Sequence, residues 1–421
     1  MKIYKFGGAS VKDADSVRNV GRILKAAGNS PVLTVVSAMG KTTNKLEALT
    51  RAIHQRSDEA RDILAEVREF HLEITRELVD DKFNPVHNDT ANFFLELECL
   101  LETHAEGDDY DALYDTVVGY GELISTRIIS NYLLHAGTPN HWLDARNFIL
   151  TDDRHREGRV QWNETGSLVR RMIAPLAQKS LIITQGFIGK TRQGAPTTLG
   201  REGSDYSAAI FAWALKADEV IIWKDVPGVM NADPRRFPFA EPIASISYAD
   251  ATELAYYGAS VIHPKTIQPL QQAGIPLYVR SFIDPAIPGT VVGLNDRPLE
   301  VPCYIVKDKQ CLLNVRSGDF NFIAEDHLSA IFSTMAAHRI RANVMQHSAL
   351  SFSVCTDDQP ERLQACMETL RKLGFETSLT ENLSLLTVYN RQHDQHTGNI
   401  LSGREILMEQ NLAHTVQFVI R

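Results

Sequence analysis

The stretch Ile3-Tyr4-Lys5-Phe6-Gly7-Gly8-Ala9-Ser10 decides the fold class of this chain. Ile3 to Phe6 reads as a short strand, and Gly7-Gly8 ends it in a turn. Asp13 stands where it caps a helix in which Val17, Val20, Ile23 and Leu24 recur at helical spacing. The continuous apolar run Pro31-Val32-Leu33-Thr34-Val35-Val36 follows, the pattern of a parallel strand buried on both faces. Strand, glycine turn, helix and buried strand make a βαβ unit. Outward from it, the same alternation returns at Leu181-Ile182-Ile183-Thr184, at Glu219 to Trp223 and at Pro276 to Val279, with helical patterns between. This predicts an α/β fold, a mostly parallel sheet with helices on both faces. Ligands of such sheets sit beyond the carboxyl ends of the strands, where the glycine-rich turns of this sequence fall. Residues 44–135 carry a long helical stretch, broken near Asn84-Pro85 and Gly107-Asp108, long enough for a lobe of its own.

A different order begins after Pro302. Cys311 to Val315 reads as a strand, Asp326 to His338 as a helix, and Asn343 to Met345 and Ser351 to Val354 as strands. Glu361 to Leu373 reads as a helix and Phe375 to Ser378 as a strand. That β-α-β-β-α-β order predicts a ferredoxin-like α+β unit. Leu385 to Tyr389, Gly403 to Gln410 and Thr415 to Ile420 begin a second copy that is not completed. The expected division is 1–295, 303–380 and 381–421.

The chain has 421 residues, room for two or three domains at roughly 150 residues each. Its 52 acidic against 43 basic side chains leave a net charge of −9. That argues against nucleic acid as a partner, because phosphate neutralisation needs a basic field. No segment approaches the roughly 18 apolar residues of a membrane span, and no signal peptide is expected ahead of the first strand. The five cysteines are odd in number, none has CxxC spacing, and no HExxH pattern occurs. A disulfide framework and a metal site are therefore not expected, and a reducing cytoplasm fits.

Several motifs suit phosphate and amino-acid chemistry. Lys5 ahead of Gly7-Gly8 joins a compact cation to a flexible backbone at a strand-to-helix turn, where N–H groups approach an anion closely. The turn matches neither the Walker A pattern nor GxGxxG; alone, it also fits a plain turn with a solvated lysine. Ser37 to Asn44 repeats the design after the second strand, and helix capping would account for it by itself. In Thr197 to Tyr206, two glycines flank Arg201, whose guanidinium suits a carboxylate by a bidentate pair. Ser204 stands where it caps the next helix, and Asp205 either complements that helix's dipole or serves a site. Glu122, alone on an apolar-patterned helix, reads as a surface acid unless a ligand ammonium is held opposite Arg201. Asp225 ends a strong buried-strand signal, where a nucleotide or Mg²⁺ would lie, and Val226-Pro227-Gly228 is a turn. His263-Pro264-Lys265 opens another helix, with His263 a packed turn residue and Lys265 a phosphate contact or a surface lysine.

Taken in this order, the segments resemble aspartate kinases of the amino acid kinase family. They are Lys5 to Gly8, Val36 to Gly40, Gly121-Glu122, Thr184 to Phe187, Gly200 to Tyr206, Asp225 to Gly228 and Gly258 to Thr266. The unit that follows resembles an ACT domain, the amino-acid-sensing module found behind such kinase domains. The resemblance implies phosphorylation of the side-chain carboxylate of L-aspartate by ATP, the entry to lysine, threonine and methionine biosynthesis, with Mg²⁺ held largely by ATP oxygens and water. It implies that Lys5 neutralises the γ-phosphate, that Gly7, Gly8 and Ser37 cradle phosphates, and that Arg201 holds the α-carboxylate. Glu122, Thr43 and Ser204 would fix the rest of aspartate, and Asp205 would orient the substrate or Lys5. Lys224, Asp225, Met230, Arg235, Ser260 and Lys265 would lie along the nucleotide.

The sequence departs from the family pattern at Ala9, usually Thr; Glu202, commonly Gly; Lys224, usually Thr or Ser; Met230, usually aromatic; and Ser260, frequently Lys. The added charge of Glu202 is expected to face solvent or pair with a lysine. Asn343 stands where lysine-inhibited members carry Asp, so feedback by an amino acid at the ACT region is expected to be altered or absent. ACT units commonly pair across a dimer, which implies a homodimer. Two alternatives stay open: another amino acid kinase, acting on glutamate or acetylglutamate, and a non-catalytic amino-acid sensor.

Overall fold

The computed structural model describes every residue except Asn29, Lys82, 105–108, Ser260, Val261, 295–298 and 319–321, and the side chain of His393. The chain forms two compact units. One comprises Met1–Val229, Ala244–Tyr248 and Ile262–Asp296; the other comprises Met230–Ile243, Ala249–Val261 and Arg297–Arg421.

The first unit contains β1 (Lys2–Phe6), β2 (Val32–Val36), β3 (Asn140–Leu143), β4 (Leu181–Gln185), β5 (Ile188–Lys190), β6 (Pro196–Thr198), β7 (Glu219–Lys224), β8 (Ser245–Ser247), β9 (Leu277–Ser281) and β10 (Thr290–Gly293). Eight of them form one sheet in the order β3-β4-β2-β1-β7-β9-β10-β8, and β5 pairs with β6. All pairs in the large sheet are parallel except β9 with β10. Every residue of β2 is buried, as is every residue of β1 after Lys2, so neither strand shows the alternation of a sheet with one face in water. The strand order leaves β1 in two directions, toward β2 and toward β7. That is a switch point, where the crevice of an open parallel sheet opens. Lys5 lies level with Val35 and Ile222, which places Gly7, Ser37 and Lys224 at one edge.

The helices of the first unit are α1 (Ala14–Ala26), α2 (Thr42–His54), α3 (Glu59–Leu78), α4 (Pro85–Thr103), α5 (Tyr110–His135), α6 (Trp162–Leu168), α7 (Ala174–Ala177), α8 (Gly203–Leu215) and α10 (Pro264–Ala273), while α9 (Tyr248–Tyr257) belongs, after its first residue, to the second unit. Asp13 caps α1 as expected, accepting the Ser16 N–H at 2.8 Å. The helical stretch resolves into α2 to α5, with Asn84 capping α4 and Pro85 at its first position. Of these, α5 is the central one: it is buried on almost every side, which removes the one-sided pattern of a surface helix. No helix among the described residues is long and apolar enough to cross a membrane.

The second unit contains β11 (Cys303–Ser317), α11 (Glu325–Ala337), β12 (Val344–His347), β13 (Ser351–Asp357), α12 (Pro360–Lys372), β14 (Phe375–Tyr389), α13 (Thr397–Leu401), β15 (Ile406–Asn411) and β16 (Thr415–Ile420). Its six strands run β12-β13-β11-β14-β16-β15, antiparallel throughout. The strands expected at Phe375 to Ser378 and Leu385 to Tyr389 are one strand of 15 residues. β11 is equally long, and register shifts between Lys307 and Leu312 divide its pairing with β14. One half of each long strand builds the expected β-α-β-β-α-β unit, whose core includes Leu313, Ile331, Phe352 and Leu370. The other halves build the second copy, so Cys303–Lys307 supplies it with a strand that lies ahead of the first copy in sequence. Its core takes in Phe237 with Tyr304, Val388, Val416 and Phe418. Met230–Ile243 and Ala249–Val261, read from sequence as part of the first domain, therefore pack with the second unit. Arg236 pairs with Asp308, and the Tyr389 hydroxyl donates to Asp250 at 2.6 Å.

Candidate active site

The carboxyl edge of the first sheet gathers most of the singled-out residues. Lys5 ends β1 and is buried, and its Nζ lies 2.6 Å from Asp205 Oδ1 in the first turn of α8. Burial alone would raise the Asp205 carboxyl. The charges of Lys5 and Lys224 outweigh it, and the group sits below its ordinary value, ionised.

Gly7 and Gly8 lead from β1 into a single 3-10 turn. A Cβ on Gly8 would come within 2.8 Å of both the Ala38 and Gly40 carbonyl oxygens, and the Gly8 carbonyl accepts the Gly40 N–H at 3.0 Å. The two phosphate-type loops are thus packed backbone on backbone, and only glycine fits. Gly8→Ala should destabilise the protein by about 1–3 kcal/mol through overpacking, read as a lower thermal midpoint against wild type.

Ser37 follows β2, its N–H bonded to the Phe6 carbonyl and its carbonyl accepting the Ser125 hydroxyl at 2.8 Å. The turn after it is not a side-chain cap: Lys41 occupies the cap position without a side-chain hydrogen bond. Thr42 instead lies 3.4 Å from His71 Nε2, while His71 Nδ1 lies 2.7 Å from the Val67 carbonyl. Burial pushes the His71 ring down to about 4, so it is neutral, with Nδ1 donating and Nε2 accepting. Thr43 is half-buried in the first turn of α2.

Glu122 overturns the expectation of a surface acid. It is 2% exposed, because Gly121 lets α5 approach the β2 turn: a Cβ there would come within 2.9 Å of Ala38 Cβ. One carboxylate oxygen accepts the Ala38 N–H at 3.3 Å, and Oε2 has no partner among the described residues. Burial raises the carboxyl to about 8, against the pull of the Ala38 N–H and of Lys5.

Ser204 is not the cap expected of it. Helix α8 starts at Gly203 behind Glu202, and Ser204 lies within it, packed on Gly186, where a Cβ would come within 2.5 Å of Ser204 Cβ. Arg201 stands exposed on the turn before α8, with no hydrogen bond or ion pair among the described residues. Glu202 is exposed in the left-handed region at φ 52°, and its carboxylate accepts the His263 N–H at 3.0 Å. It faces outward as expected but pairs with a backbone amide rather than a lysine. His263 caps α10, accepting the Lys265 N–H at 3.2 Å. Lys265 is exposed, with Nζ 3.6 Å from where a Gly200 Cβ would stand.

Lys224 ends β7 half-buried and Asp225 is exposed beyond it. Met230 and Arg235 belong to the second unit, where Asp233 holds Arg235 at 2.9 Å. Ser260 lies outside the described residues. No three His, Cys, Asp or Glu side chains cluster as a metal site among the described residues. The geometry thus brings Lys5, Gly7, Gly8, Ser37, Glu122, Ser204, Asp205 and Lys224 to one sheet edge and pins the Arg201 turn between α5 and α10.

A family model for the amino acid kinase family matches residues 1–281. The chain belongs to the amino acid kinase family. Within that family it groups with the aspartokinases. It is 33% identical to the lysine-sensitive aspartokinase 3 of Escherichia coli over 84% of this chain and 78% of that protein. It is 31% identical to an Arabidopsis thaliana bifunctional aspartokinase/homoserine dehydrogenase over 92% of this chain, but it spans only 43% of that relative's length. A solved structure of E. coli aspartokinase III in complex with aspartate and ADP superposes with a TM-score of 0.84 at 30% identity, covering 100% of this chain and 96% of that one. The family's amino acid kinase fold, followed by an antiparallel regulatory unit of the ACT kind, is the architecture described above.

Proposed function

We propose that this chain is an aspartate kinase, transferring the γ-phosphoryl group of ATP to the side-chain carboxylate of L-aspartate to give 4-phospho-L-aspartate and ADP. The observation that carries the reading is the buried Lys5–Asp205 pair beside Glu122, whose Oε2 has no partner among the described residues. A fixed cation there suits a transferring phosphoryl group, and a buried acceptor suits an ammonium. The reaction needs no protein nucleophile. The β-carboxylate oxygen of aspartate attacks the γ-phosphorus in line, the bond to the β,γ-bridging oxygen breaks, and ADP departs with that electron pair. Lys5 would hold the γ-phosphate and Asp205 would hold Lys5, while Gly7, Gly8 and Ser37 offer backbone to the phosphates. Arg201 would take the α-carboxylate, with Glu122, Thr43 and Ser204 on the rest of aspartate. Lys224, Asp225 and Lys265 would lie along the nucleotide. Mg²⁺ fits such a site as a companion of the nucleotide, liganded by phosphate oxygens and water and offsetting their charge.

In the second unit, Asn343 donates to Gln310 at 2.8 Å and to Asp357 at 2.9 Å, and accepts from Lys307 at 3.1 Å. An amide so committed supports altered amino-acid feedback. A homodimer paired through this unit, working in the cytoplasm where the five free thiols persist, completes the reading.

The deciding experiment traps the acyl phosphate as its hydroxamate from Mg-ATP and L-aspartate, with L-glutamate and acetylglutamate as controls. Product with aspartate alone supports the reading; none with any substrate, from folded protein, overturns it.

Glu122 adds a pH prediction. Its folded pKa of about 8 exceeds the ordinary 4.5, so folding binds a proton. The stability this group contributes is complete below 4.5 and is lost as pH rises through about 8. An ammonium needs the ionised form, so aspartate binding should release a proton, and the dissociation constant for aspartate should fall as pH rises from 6 toward about 8. Calorimetry in buffers of different ionisation enthalpy reads that proton, and Glu122→Gln should abolish it.

A further inference from the structure

Asp115 lies on α5 two helical turns before Glu122, about 10 Å along the axis and on the same face. It is 1% exposed, yet the hydrogen bonds of its carboxylate lead away from its own helix. Oδ2 accepts from His155 Nδ1 at 2.8 Å, both oxygens lie 3.0 Å from the Arg156 backbone N, and Oδ1 accepts the Thr198 hydroxyl at 2.6 Å. Thr198 ends β6, two residues before Gly200, and its carbonyl accepts the Gly158 N–H at 2.8 Å. A Cβ on Gly200 would stand 3.3 Å from the Arg156 carbonyl and from Glu157 Cγ. The 155–158 loop and the strand leading to Arg201 are therefore tied to one buried carboxylate. On the other side, Glu202 is tied to the His263 N–H at 3.0 Å. Between these anchors the backbone turns left-handed at Gly200 (φ 77°) and at Glu202 (φ 52°), a conformation a non-glycine residue keeps only when its surroundings impose it. Arg201 is the residue so displayed.

We propose that Asp115 is a positioning residue: through Thr198 and the 155–156 backbone, it holds the Arg201 turn at a set distance from Glu122, with α5 as the ruler between the two groups that receive aspartate. The proposal rests on the reading of Arg201 and Glu122 as aspartate contacts. Burial raises the Asp115 carboxyl, and the bonds from Thr198, Arg156 and His155 hold the shift down.

Steady-state kinetics on the full chain test it with Thr198→Val, Thr198→Ser, Asp115→Asn and, as a control one turn earlier on α5, Asp111→Asn. Among the described residues the Asp111 carboxylate makes only an exposed pair with Arg156 at 3.3 Å, and its loss should change nothing. Removing the Thr198 hydroxyl should raise KM for aspartate about tenfold, leaving kcat and KM for ATP within about twofold, and Thr198→Ser should restore it. In an Arg201→Ala background the same Thr198→Val change should have no further effect on KM, because the anchor acts through Arg201. Should Asp115→Asn not fold, the Thr198 series decides alone. A lower thermal midpoint with KM for aspartate unmoved, or an undiminished effect in the Arg201→Ala background, would overturn the proposal. A wild-type protein inactive on aspartate would instead remove the functional reading beneath it.

Discussion

Lys5→Met should lower kcat by about 100- to 1,000-fold, the usual loss when one preorganised charge donor is taken from a developing oxyanion. Stopped or coupled assays of ADP release at saturating aspartate and ATP read it. The effect is on kcat rather than on binding, since the ammonium meets the γ-phosphoryl group as charge builds between donor and acceptor oxygens. The substitution also leaves Asp205, 3% exposed, without the partner now 2.6 Å away. Breaking one side of a buried pair destabilises by about 3–5 kcal/mol, so the variant should also melt earlier. Adding Asp205→Asn removes the orphaned charge and should recover much of that stability while recovering none of the turnover. Turnover that returned with stability would mean Lys5 merely neutralises Asp205.

The second large effect is at Arg201. Because the side chain is exposed and makes no hydrogen bond or ion pair among the described residues, its removal should leave the thermal midpoint unchanged. Loss of a charge-assisted, bidentate carboxylate contact should raise KM for aspartate about 10- to 100-fold. KM for ATP should hold within about twofold. Arg201→Lys keeps the charge but not the fork, so it should recover only part of the loss. Equal rises in both Michaelis constants would place Arg201 on the nucleotide instead.

How far the sequence could be read is clearest residue by residue. Lys5 and Gly8 were legible because a buried strand ending in Gly-Gly is a local pattern. Arg201 was legible because two glycines bracket it. The Asp13 cap and the Asn84-Pro85 break needed no tertiary information. Ser204 was misjudged as a cap because Glu202 enters the left-handed region, which sequence pattern disfavours for that residue. Glu122 looked like a surface acid because α5 was read by periodicity, and a helix buried on all sides has none. Asp115 carries one local signal, its place seven residues before Glu122 and so on the same helix face.

Hydrophobic period and glycine placement, both local properties, were sufficient for the parallel sheet, the helices on its faces, the ferredoxin-like unit and the phosphate-type turns. Packing alone decided the rest. It paired Lys5 with Asp205 across 200 residues of chain, buried Glu122 against Ala38, and lent Cys303–Lys307 to a half-unit whose other strands come after residue 375. It also drew Phe237 out of the kinase stretch into that unit's core. These features depend on which surfaces meet, through desolvation and steric fit between segments remote in sequence. A one-dimensional pattern holds the residues that will meet but not the distances between them.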